Sequence, residues 1–209
     1  MKVNILTISI LLTACSNPDA APKDDAPIAD EETEQARVTY RIDFGLDEEA
    51  DDWFALNDDV MGGVSTGEVS YSEGSIVFDG FVSTDNNGGF VSIRSPNASY
   101  DLSDFTEIEI SYRSQGHGFV MILADQNAWY EPKFELEVMP ESAEWSTVTV
   151  ALSEFKQYAM TGIGEVETGA VLSEEFLSDV LRIELMNTSF ESGEFELEID
   201  YIEFQGPID

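Results

Sequence analysis

Alternation of apolar and acidic residues with a period of two is the feature that most restricts what this chain can fold into. In Thr106-Glu-Ile-Glu-Ile-Ser-Tyr-Arg113 it puts Ile108, Ile110 and Tyr112 on one face and Glu107, Glu109 and Ser111 on the other. Phe134-Glu-Leu-Glu-Val138 and Glu194-Phe-Glu-Leu-Glu-Ile-Asp-Tyr201 repeat the scheme. Successive side chains of a strand point to opposite faces, so these segments read as half-buried antiparallel strands, apolar inward and acidic outward. In the last of them the apolar phase passes from Phe195, Leu197, Ile199 and Tyr201 to Ile202 and Phe204, which predicts a bulge near Tyr201. Further strands are predicted at about 38–44, 67–72, 75–80, 89–94, 117–124, 145–151 and 180–187. Ser173-Glu-Glu-Phe-Leu-Ser-Asp179 predicts a short helix with acids in its first turn, and Ser153–Gln157 a turn. About ten short strands separated by turns make an all-β chain: an antiparallel β-sandwich or jelly roll with at most one or two short helices.

The charge balance excludes some partners. With 43 Asp and Glu against 9 Lys and Arg, the 209-residue chain has a formal charge of −34. Nucleic-acid affinity comes mainly from cations neutralising phosphates, and here the field repels a polyanion. Much of this acidity is a solvated sheet face. One cysteine excludes an intrachain disulfide and a cysteine-built zinc site. One histidine removes most triad and multi-histidine metal chemistry.

The cysteine stands in a distinctive place. Residues 1–14 carry Lys2, an apolar run from Val3 to Leu12 and then small residues, the layout of a signal peptide too short to span a bilayer as a helix. Leu12-Thr13-Ala14-Cys15 resembles the lipobox of bacterial lipoproteins, which implies cleavage before Cys15 and acylation of its thiol as a membrane anchor. Ser16 resembles the outer-membrane sorting pattern, so the expected location is the bacterial cell envelope, on the periplasmic face of the outer membrane. Residues 15–37, with Pro18, Pro22, Pro27 and many acids, read as an extended tether, and residues 38–209 as one folded domain.

Candidate binding residues concentrate in two segments, Trp53 to Gly67 and Asp85 to Arg94. Gly62, Gly63, Gly88 and Gly89 permit positive φ and close backbone approach, while Asn57, Asp58, Asp59, Asn86 and Asn87 offer side-chain oxygens and amides. Hairpin turns use the same residue types. No Gly-Lys-Ser/Thr follows either glycine pair, so neither is a phosphate loop.

Trp53 with Asn57-Asp-Asp-Val-Met-Gly-Gly-Val-Ser65, followed by Asn87-Gly-Gly-Phe-Val-Ser-Ile-Arg94, resembles the signature of the complex I intermediate-associated protein 30 family. Asp101-Leu-Ser-Asp-Phe105, Trp145-Ser-Thr-Val-Thr-Val150 and Gly193 to Ile202 continue the likeness, which covers about residues 41–204. It implies a galactose-binding-like jelly roll related to carbohydrate-binding modules, with no known catalytic role. Eukaryotic members assist assembly of respiratory complex I. Arg113-Ser-Gln-Gly116 departs from the family's frequent Arg-Gly-Asp-Gly. The binding residues expected on this basis are Trp53, Asn57, Asp58, Met61, Gly62, Gly63, Ser65, Asn86, Asn87, Gly88, Gly89, Phe90 and Arg94.

Several residues admit two readings. Arg94 is one of six cations after residue 37; it can pair with Asp58 or Asp59 and fix the glycine loop, or hold a ligand carboxylate or sugar hydroxyls. Trp129, Tyr130 and Tyr158 suit either rim packing or a sugar-stacking platform. His117, between two glycines, reads as a surface turn residue. The pair Asp58–Asp59 does not by itself mark a glycosidase, because neighbouring carboxylates are common in so acidic a chain. No cofactor is expected, and no catalytic or metal-ligating residue is assigned. Asp43 and Asp200 are candidate ligands for a structural calcium, without EF-hand-like spacing. The expectation is a non-catalytic envelope lipoprotein with a binding or assembly-factor domain whose partner is an envelope protein or glycan. The alternative is a carbohydrate-binding module with an aromatic face.

Overall fold

The computed structural model describes residues 37–46, 52–72, 74–140, 142–162, 164–188 and 192–207. The predicted signal peptide, Cys15 and all of the tether but Arg37 lie outside these residues. Arg37–Asp209 forms one compact unit. Among the described residues no helix is long and apolar enough to cross a membrane.

The alternating segments are strands paired into two antiparallel sheets. The six-stranded sheet contains β1 (Arg37–Asp43), β3 (Thr66–Ser72), β4 (Ser75–Val82), β6 (Glu107–Gln115), β9 (Ser146–Ala151) and β13 (Gly193–Pro207), in the order β3-β4-β13-β6-β9. The long β13 is shared along one edge: its first half pairs with β4 and its second with β1. The seven-stranded sheet comprises β2 (Phe54–Asn57), β5 (Phe90–Arg94), β7 (Phe119–Ala124), β8 (Lys133–Val138), β10 (Lys156–Thr161), β11 (Gly164–Glu167) and β12 (Arg182–Thr188), in the order β11-β10-β8-β7-β12-β5-β2.

The core lies between the sheets. Ile108 and Ile110 of β6, Val91 and Ile93 of β5, and Ile183 and Leu185 of β12 are fully buried, as are the rings of Phe78, Phe119, Phe134 and Phe204. Burial of each such side chain contributes about 1.5–3 kcal/mol. The phase change in β13 is a register shift between Ile199 and Tyr201. It returns Ile202 and Phe204 to the core and leaves Tyr201 half-buried, its hydroxyl 2.6 Å from Glu109 and the Arg41 guanidinium 3.4 Å over its ring. The predicted helix is α1 (Glu174–Ser178), capped by Ser173, whose Oγ accepts the Phe176 N–H.

Strands β2, β10 and β11 were not expected from the sequence. In β2 only four residues pair, and its Phe54 faces outward. β10 and β11 form an edge hairpin with no buried residue, so nothing imposes an alternating pattern on them.

Candidate functional site

The two glycine-rich segments meet, and Asp58 joins them. After β2 ends at Asn57, residues Asp58–Met61 make a single 3-10 turn that closes on Gly62 in the left-handed region, φ 89°. The turn carries the Asp58 side chain into the interior, where it is fully buried. Its Oδ1 accepts the Ser65 N–H at 2.9 Å; its Oδ2 accepts the Ser65 hydroxyl at 2.6 Å and the Gly89 N–H at 2.8 Å, with the Phe90 N–H at 3.4 Å. Ser65 Oγ in turn accepts the Ser83 N–H at 2.9 Å, tying in the end of β4. Burial opposes the charged form of Asp58. The bonds from the Ser65 hydroxyl, Gly89 N–H, Ser65 N–H and Phe90 N–H outweigh it and hold the carboxyl below its ordinary pKa.

This arrangement explains the glycines. A Cβ on Gly63 would stand 2.3 Å from the Asp58 carboxylate, and one on Gly88 would stand 2.5 Å from Oδ2. Asn86, with φ 57°, turns the second loop through the left-handed region, and Gly89 continues it at φ 135°. Asn57 Oδ1 accepts the Gly67 N–H at 2.9 Å, so this amide also supports the loop. Trp53 lies in the core, edge-on to Phe44 at 5.3 Å. Phe90 is half-buried at the start of β5. Met61 closes the first 3-10 turn and Asn87 the second, Asp85–Asn87. Asp59, Gly62, Val64, Thr66, Thr84, Asp85 and Asn86 are exposed at this rim.

Arg94 is not part of the cluster. It sits at the far end of β5 and pairs with Glu184 of β12 at 2.9 Å, so an arginine clamp on Asp58 or Asp59 is replaced by the backbone amides and Ser65. The reason is register: Glu184 stands directly opposite Arg94 on the outer face of the sheet. Arg182 approaches the other oxygen of Glu184 at 3.4 Å and donates to Asn127 Oδ1 at 3.0 Å. Burial lowers the pKa of Arg182 from its ordinary value, against the attraction of Glu184.

Around this group the outer face forms a cleft lined by Arg94, Asn127, Trp129, Lys133, Arg182 and Glu184. Ile122 and Ser92 on the same face are fully buried. Glu135 stands across from Ile122, and burial, with Glu165 nearby, raises its pKa to about 7 against the attraction of Lys133. Trp129 and Tyr130 pack edge to face at 5.8 Å and remain more than half exposed. Tyr158 is opposite Lys133 in the register of β8 and β10. Sequence reasoning did not associate Arg182, Lys133 and Glu184 with Arg94; their alternation on β12 and β8 was the available signal.

His117 follows Gly116, φ 96°, and is half-buried, with a buried Nε2 that lacks a hydrogen bond among the described residues. Asp43 accepts from Arg41 Nε and the Gly45 N–H, each at 3.1 Å, and Asp200 Oδ2 lies 3.5 Å from Ser111 Oγ. Among the described residues no cluster of three or more His, Cys, Asp or Glu is placed to hold a metal ion.

The profile described as Complex I intermediate-associated protein 30 matches residues 42–199. No curated protein matches the chain. The family 11 carbohydrate-binding module of the cellulosomal cellulase Lic26A-Cel5E of Clostridium thermocellum is similar in structure, with TM-score 0.60 and 16% identity over 84% of this chain and 98% of that one. A family 11 module from Clostridium thermocellum in complex with a β-1,3-1,4-mixed-linked tetrasaccharide gives TM-score 0.58 and 16% identity over 82% and 97%. At this identity the likeness shows the fold, a galactose-binding-like jelly-roll sandwich.

Proposed function

The chain belongs to the Complex I intermediate-associated protein 30 family, and on that premise we propose that it is a non-catalytic binding protein of the bacterial cell envelope. Cys15 carries the lipid anchor on the periplasmic face of the outer membrane, the acidic segment to residue 37 spaces the domain from the bilayer, and the Asp58 rim recognises an envelope protein in the manner of an assembly factor. One observation carries this reading. The acid at the centre of the family signature is buried and engaged by loop donors, so the signature builds a fixed surface and does not offer a free carboxylate as acid or base. The test is photo-crosslinking in native envelopes from position 64 on the rim and from position 171, an exposed control. A discrete adduct formed from position 64 and not from 171 supports the reading; no adduct, or the same adducts from both, contradicts it.

A second reading is supported by a different observation. Trp129 and Tyr130 expose their rings beside the cleft that holds Arg94 and Arg182, and an aromatic face next to planar polar groups suits a sugar ring. On this reading the domain is a carbohydrate-binding module. A glycan array probed with the full chain and with Trp129→Ala tests it: array binding lost in the variant is expected, and no binding contradicts it.

A further inference from the structure

The folded domain places its scarce cations unevenly. From residue 38 onward there are six lysines and arginines against 36 acids. Four of the six, Arg94, Lys133, Lys156 and Arg182, belong to strands of the seven-stranded sheet, and their register puts them on its outer face. Three of them, Arg94, Lys133 and Arg182, line one shallow cleft open to solvent.

Local charge and hydrogen bonding point to an anionic ligand group. Arg94 and Arg182 share the single carboxylate of Glu184, so each guanidinium is only partly engaged by it, although the charged residues lining the cleft balance as a whole. The Nε–H of each is buried and has no acceptor among the described residues. Lys133 Nζ stands 3.6 Å from Glu135 Oε1, an ion pair too long for a hydrogen bond. Buried donors without acceptors are costly, and a planar carboxylate is the group that matches guanidinium forks. Asp125 and Glu131 also line the cleft, and the chain as a whole is strongly negative. A long polyanion is therefore repelled, while the guanidinium pair can take a single carboxylate. Trp129, 59% exposed at the same cleft, offers the apolar surface against which a pyranose ring stacks.

We propose that this cleft is a subsite for a carboxylate-bearing sugar, a hexuronate, held by Arg94, Lys133 and Arg182 with its ring on Trp129. The proposal rests on the carbohydrate reading and narrows it to acidic sugars; it is independent of the Asp58 rim. The test is titration calorimetry of the full chain with trigalacturonate and with the neutral trisaccharide cellotriose. Trigalacturonate should bind at least about tenfold more tightly than cellotriose. Trp129→Ala and Lys133→Gln should each weaken it about tenfold, measured well below the melting temperature of each variant with native circular dichroism retained; these positions are chosen because substitution of the buried Arg182 endangers folding. Equal or tighter binding of cellotriose would overturn the acidic-sugar assignment and leave the carbohydrate reading standing. Trigalacturonate binding that survives both substitutions would overturn the cleft as its site. Absence of binding by either sugar would remove both the subsite and the reading beneath it.

Discussion

The Oδ2 of Asp58 lies 2.8 Å from the amide nitrogen of Gly89, so two loops separated by 31 residues are held to one buried oxygen. The same oxygen takes the Ser65 hydroxyl. Charge-assisted bonds to backbone N–H groups are about twice as strong as neutral ones, and burial of the Asp58 carboxylate strengthens them further.

Asp58→Asn keeps the shape and removes the charge. One of the two acceptor oxygens becomes an NH₂ group facing donors, so the substitution should destabilise the domain by about 2–4 kcal/mol in urea denaturation. The pH dependence has a definite sign. Because the folded-state pKa is lowered, the stabilisation is complete above the ordinary carboxylate pKa and is lost as pH falls through the folded value. The wild type should therefore lose this contribution in acid, and the gap between wild type and Asp58→Asn should shrink there.

Gly63→Ala and Gly88→Ala test the close packing around that carboxylate. Each introduces a carbon within 2.5 Å of Asp58. Both should lower the melting temperature, whereas Gly162→Ala, where nothing lies within 4 Å of the added carbon, should leave it unchanged or raise it slightly through the unfolded chain. Equal effects at all three positions would show that backbone freedom, and not the Asp58 contact, accounts for the glycines.

Glu135 should behave in the opposite sense to Asp58. Burial, with repulsion from Glu165, raises its pKa to about 7 against the attraction of Lys133. Between the ordinary carboxylate pKa and about 7 the folded state binds the proton more tightly, so this group's contribution falls as pH rises through that window. Glu135→Gln should be more stable than the wild type at pH 8 by on the order of 2 kcal/mol and should lose that advantage near pH 4. Thermal denaturation at the two pH values reads the difference.

Strands with one buried face were legible because burial writes a period of two into them. β6, β8 and β13 carry it over their whole length, and the phase slip at Tyr201 was readable as a bulge. β10 and β11 bury nothing fully and left no pattern. The rim was partly legible: glycines on both segments and an acid between them were visible. The direction of the Asp58 side chain was not, because a surface turn uses the same residues. Of the two readings of Arg94, the clamp on Asp58 or Asp59 is replaced for a similar reason. The Arg94 partner Glu184 is 90 residues away in sequence, and only the pairing of β5 with β12 brings the two together.

Amide hydrogen exchange at Gly89 and Ser65 tests the rim most directly. Both amides should exchange as slowly as core strand amides such as Ile93, and both should accelerate together in Asp58→Asn while Ile93 remains protected. Fast exchange at Gly89 and Ser65 in the wild type, or acceleration of only one of them in the variant, would contradict a single acid holding the two loops as one surface.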